Sequence, residues 1–157
     1  MKRVDAIVTT MIVLLAAIVL LPSSAYAQDT GVVGAGSATL PANTLYGAVT
    51  VSAIQFGMAA FVPGDSTAEG HFQGKLLGTT ILGLTQNIIV DGEITSGSLN
   101  TGVRTISGLA TVDMGDGLPP LVDVPITVTA TATSVTLLLG ATNLPAATLS
   151  DGQITIF

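Results

Sequence analysis

The chain has 157 residues, a formal net charge of −6, 9% charged residues, one histidine, and neither cysteine nor tryptophan. With 48% hydrophobic residues and a mean hydropathy of +0.74, it is too apolar for a disordered segment. Four Lys and Arg residues cannot form the basic stripe that nucleic acid requires, and no cysteines are present to staple a disulfide scaffold.

Residues 1–27 read as a cleavable signal peptide. Lys2 and Arg3 open it, an apolar run broken only by Thr9 and Thr10 fills residues 6–21, and Pro22-Ser23-Ser24 ends the run. Ala25-Tyr26-Ala27 supplies the small-x-small pattern, so cleavage is expected before Gln28. The run of 16 residues falls short of a spanning helix, which needs about 20, so no stable membrane span is expected after processing. The mature chain would carry only Lys75 and Arg104 as side-chain cations against nine carboxylates, a net of −7. The expected location is secreted, or in the periplasm or cell envelope, without disulfides and with little attraction to anionic membranes.

Residues 28–46 are rich in Gly, Ala and Thr and read as an arm or a first strand. Within them Gly31-Val32-Val33-Gly34-Ala35-Gly36 lacks both the phosphate-loop pattern and a following helix, and a mobile arm is the favoured reading. From residue 47 to 157 the chain is written for strands. Thr and Val favour the pleated surface, Gly punctuates it, and Glu, Lys and Arg are scarce. Expected strands cover residues 47–62, 71–77, 85–95, 103–114, 124–132, 135–139 and 153–157. The clearest is 124–132, where Val124, Ile126, Val128, Ala130 and Ala132 alternate with Pro125, Thr127, Thr129 and Thr131. Pro125 has no donor, which places it at a strand start or on an edge. Turns are expected at Pro63-Gly64-Asp65, Ser96-Gly97-Ser98, Asn100-Thr101-Gly102 and Asp116-Gly117. Leu118-Pro119-Pro120 then forces extended backbone. The expected fold is all-β: a single antiparallel β-sandwich or flattened β-barrel of about seven to nine strands.

The order of short motifs from Ala48 onward resembles a group of uncharacterised secreted bacterial all-β domains. These include the domain that follows collagen-binding-like repeats in some surface proteins. The motifs are Phe56-Gly57-Met58, Gly70-His71-Phe72, Ile88-Ile89-Val90-Asp91-Gly92, Ile106-Ser107-Gly108-Leu109-Ala110 and Gly152-Gln153-Ile154-Thr155-Ile156. The resemblance implies a compact antiparallel β-structure on an exported protein, and it brings no catalytic residues with it.

Candidate chemistry is sparse. Glu69, His71 and Gln73 alternate and share one face of a strand, where His71 with Glu69 could ligate a metal or act as an acid–base pair. An exposed polar face is preferred, because no second histidine or cysteine completes a ligand set. Asp113-Met114-Gly115-Asp116-Gly117 faintly suggests a calcium loop, but the third position is Gly115 and the twelfth is Val124, so a tight turn explains it better. Asp91-Gly92-Glu93 and Asp151-Gly152 read as turns or bulges. Asp91 with Glu93 would also be the carboxylate pair of a glycosidase, yet the aromatic platforms that bind sugars are missing. Tyr46, Phe56, Phe61, Phe72 and Phe157 read as core anchors or strand ends. Counting back from Phe157 by twos gives Thr155, Gln153 and Asp151, a poor lipid face for an outer-membrane barrel.

The sequence therefore points to a non-enzymatic module with no catalytic, cofactor or metal residues. It is expected to act by contact with itself or another envelope protein through β-strand edges. A β-barrel that binds a small apolar ligand is the alternative; an outer-membrane barrel, or a hydrolase using Asp91, Glu93 or the Glu69–His71 pair, is weaker.

Overall fold

The computed structural model describes residues 30–63 and 67–157. The signal peptide expected over residues 1–27 and most of the turn expected at Pro63-Gly64-Asp65 lie outside the described residues. Nine strands form, and no helix occurs among the described residues. They are β1 (Thr30–Tyr46), β2 (Val49–Val62), β3 (Thr67–Thr79), β4 (Ile88–Asn100), β5 (Val103–Asp113), β6 (Leu121–Ala130), β7 (Ser134–Leu139), β8 (Thr142–Asn143) and β9 (Ala147–Ile156). Neighbours in sequence pair antiparallel from β1 to β8, and β9 returns to lie between β7 and β1. The sheet thus closes on itself as a barrel. Alternation alone could not separate barrel from sandwich; closure does.

The period-two pattern decides which side chains face inward. On β6, Ile126, Val128 and Ala130 are fully buried, while Thr127 and Thr129 face outward. Their hydroxyls pair across to β5, Ser107 with Thr127 at 2.9 Å and Thr105 with Thr129 at 3.3 Å. The threonine face is therefore a cross-strand ladder of hydroxyls. Pro125 lies inside β6 rather than at its start. Its carbonyl accepts from Gly140 N at 2.8 Å just past the last β6–β7 pair, Ile126 with Leu139. The missing N–H therefore falls where that ladder has ended, which makes the position an edge in effect.

One core fills the barrel. Phe56 and Phe72 supply bulk, Ile54, Leu76, Ile88, Ile94, Ile106 and Leu139 surround them, and Ala38, Ala60, Ala68 and Ala110 fill the narrower places. The apolar void lined by Leu40, Ile54, Leu76 and Leu137 has a volume of about 10 Å³. Such a void admits about one water molecule at most.

Three sequence expectations are corrected. The Gly-rich stretch 31–36 is not a mobile arm. It is the first part of β1, paired with β2 on one side and β9 on the other. Its glycines serve a close approach: a Cβ on Gly36 would collide with the carbonyl oxygen of Asp151. Ser96-Gly97-Ser98 is not a turn but part of β4, just past a register shift between Ile94 and Ser96. Gly97 there passes close to Val62, and a bulge absorbs the small residues. Asp91-Gly92-Glu93 is regular strand, paired with His71, Phe72 and Gln73 on β3. Gly92 faces the crowded interior. Asp151-Gly152 does lie at an irregularity, with Gly152 at φ +96° beside a register shift in the β1–β9 ladder.

The closure has a short seam. β7 joins β9 through two pairs only, Ser134 with Thr148 and Val135 with Ala147. Beyond them, β9 has a strand neighbour on one side alone among the described residues. Arg104 reaches across from β5: Nη1 donates to the Asn100 and Val103 carbonyls at 2.8 and 3.1 Å, and Nη2 donates to the Phe157 carbonyl at 3.1 Å. A buried guanidinium thus ties the β4–β5 hairpin to the end of β9.

Candidate functional site

Outward positions on β3 and β4 collect the polar residues that the sequence singled out. Glu69, His71 and Gln73 all point outward on β3, as their spacing requires, and Asp91 and Glu93 do so on β4. The backbone register places His71 opposite Glu93, but the side chain reaches diagonally to Asp91, with Nε2 2.8 Å from Oδ1. Glu69 is not the partner. The His71–Asp91 pair is half exposed, at 52% and 54%, so water screens it and its contribution stays within about 1 kcal/mol. A concavity of about 630 Å³ spreads over this face between His71, Asp91, Glu93, Thr111 and Asp123. Asp123 adopts φ +54° at a register shift in β6, a left-handed conformation that aspartate tolerates. Among the described residues, no three His, Asp or Glu side chains converge as metal ligands.

The acidic stretch 113–117 is occupied with its own backbone. Asp113 Oδ1 accepts from Gly115 N at 2.8 Å, and Asp116 Oδ1 accepts from Leu118 N at 3.0 Å. Both are Asx turns, in which the carboxylate shapes the loop.

The apolar exterior is the feature that sequence reasoning passed over. At one end of the barrel, the β3–β4 connection projects Ile81, Leu82 and Leu84, exposed by 93%, 81% and 64%. It is a built turn: Thr80 N donates to the Leu84 carbonyl at 2.8 Å, Gly83 N donates to the Thr80 carbonyl at 2.9 Å, and Leu84 N donates to Thr80 Oγ1 at 3.1 Å. Gln86 Nε2 then donates to the Met114 carbonyl at 2.8 Å, bracing this loop against the β5–β6 connection. That connection exposes Leu118, and the first residues of β6, Leu121 and Val122, are exposed as well. The signal available in the sequence was an uncharged apolar run, 81–84, interrupted by a glycine and standing outside every alternating segment.

At the opposite end of β3, the outer wall bears an apolar groove of about 230 Å³, formed by Val33, Ala59, Phe61 and Phe157 with Glu69 at its border. Of the five aromatic side chains among the described residues, Tyr46, Phe56 and Phe72 are buried in the core, whereas Phe61 and Phe157 line this groove.

The other outward strand positions are mixed: Gln55, Gln73, Lys75, Asp91 and Glu93 are polar or charged, whereas Leu45, Ile89, Leu109 and Leu138 are exposed apolar residues. No helix among the described residues is long and apolar enough to cross a membrane. Comparison with protein-family models, with curated proteins and with solved structures finds no match.

Proposed function

We propose that the protein is an exported, non-enzymatic module that works by contact through its outer surface, in the cell envelope or outside the cell. The observation that carries this reading is the filled interior. A barrel built to hold a small apolar ligand needs a central cavity of about 300 Å³ or more, and the apolar void between Leu40, Ile54, Leu76 and Leu137 is about 10 Å³. The inward Leu, Ile and Val are spent on packing, and others stand exposed outside, so the exterior is where recognition takes place. The sequence expectation of contact through strand edges narrows accordingly. β1 has a neighbour on each side, and the exposed apolar loop and groove take the place of the arm.

Native mass spectrometry of the exported protein tests the reading. The expected spectrum contains protein masses alone, beginning at Gln28. A stoichiometric lipid or other apolar adduct would transfer the protein to the ligand-binding class. The polar face supplies the test against a hydrolase: a chromogenic glycoside or ester panel should show no turnover that disappears in Asp91→Asn.

A further inference from the structure

Resting on the contact reading, the structure carries a partner as well: we infer that copies of this chain associate head to tail, Ile81 and Leu82 of one copy seating in the Val33–Ala59–Phe61–Phe157 groove of the next. The two surfaces differ in shape and match in chemistry. Exposures of 93% and 81% mean that Ile81 and Leu82 touch almost nothing of their own molecule and form a convex tip. The groove is a shallow apolar depression, open to solvent, whose volume of about 230 Å³ leaves room for such side chains. A tip and its seat on one chain cannot meet within that chain. β3 alone runs between them from Glu69 to Thr80, roughly 35 Å at about 3.3 Å per residue.

Charge permits this contact in a molecule that otherwise repels its copies. Residues 79–87 contain no charged side chain, and among the described residues Glu69 carries the one charged side chain that lines the groove. The tip also lacks the Lys, Arg, Trp and Tyr that anchor loops at a bilayer surface, which favours a protein seat over lipid. Because tip and seat are different patches, the contact is heterologous and generates open chains unless a rotation closes a ring.

The test is sedimentation velocity on the exported protein from micromolar to millimolar concentration, with three partners in the set. The wild type is expected to grow in mass with concentration. The double variant Ile81→Ser, Leu82→Ser should weaken association by at least about tenfold for each side chain removed. Phe61→Ser, at a residue 40% exposed, should do the same from the other side; Val33→Thr serves as its substitute if melting shows that Phe61→Ser is unfolded. The deciding sample mixes the tip variant with the groove variant. Each keeps the half that the other has lost, so the mixture should form a heterodimer and stop there. A wild type that stays monomeric throughout overturns self-assembly while leaving the contact reading in place. Assembly that survives the tip variant, or a mixture that fails to pair, overturns the assigned faces. Tip-dependent flotation of a monomer with phosphatidylcholine vesicles overturns the inference and gives the tip to a bilayer.

Discussion

Gly108 and Gly57 show how position, rather than residue type, sets the consequence of a single methyl group. A Cβ on Gly108 would collide with the carbonyl oxygen of Glu93 on the neighbouring strand, an atom fixed by the ladder, whereas a Cβ on Gly57 would meet nothing within 4 Å. Gly108→Ala should therefore cost about 3 kcal/mol or more as the strands are forced apart. Gly57→Ala should be neutral or stabilise by up to about 1 kcal/mol, because a strand glycine carries an entropic cost. Urea denaturation of both variants checks the contrast, and equal effects would refute the close approach. Tyr46 gives a prediction in pH. It is buried at the end of β1, and burial raises its phenol above the usual value of about 10. The folded state then holds its proton more tightly than the unfolded chain does. The stability it contributes is intact below about pH 10 and is lost as pH climbs through the raised value. Thermal melts should show a fall in Tm above about pH 10, and Tyr46→Phe should remove that part of the slope.

At the scale of the strand, β6 and β1 mark the two limits of what the sequence reveals. Alternation of Val and Ile with Thr made β6 readable, because each outward Thr and inward aliphatic fits the pleat on its own account. Val128→Asp follows from that reading. It would bury an unpaired charge at a fully enclosed position and should destabilise by at least about 4 kcal/mol, unfolding the domain in circular dichroism. β1 carries little such signal. Gly34, Gly36 and Ala38 are poor strand formers in isolation, and they are strand here because β2 and β9 press on either side and leave no room for larger residues. The outward parity of Glu69, His71 and Glu93 was legible by the same period of two. The choice of Asp91 as partner for His71 was not, since it depends on cross-strand register, which one strand's sequence cannot contain. Arg104 is a second tertiary feature of this kind. Arg104→Met keeps much of the buried stem but deletes donors to Asn100, Val103 and Phe157, and should cost about 2 kcal/mol. Hydrogen exchange should show the loss first in the last residues of β9.

For the molecule as a whole, closure means that no strand near the chain start is dispensable. β1 contributes thirteen pairs' worth of register to β2, from Thr30 with Val62 to Tyr46 with Val49, and also holds β9 from Val32 to Thr39. Without β1, β2 and β9 would each present a long unpaired edge, and Val32, Ala38 and Leu40 would leave the core. β9 would then keep only its short junction with β7, which is too little to order it. Deleting residues 28–43 should consequently abolish the cooperative thermal transition and drive aggregation. A flexible arm would instead detach cleanly and leave Tm unchanged. The same deletion cannot serve as a probe of self-association, because it destroys the barrel before it can alter any contact between barrels. Substitutions at Ile81 and Leu82, whose side chains lean on nothing in their own molecule, leave the fold intact and report on association alone.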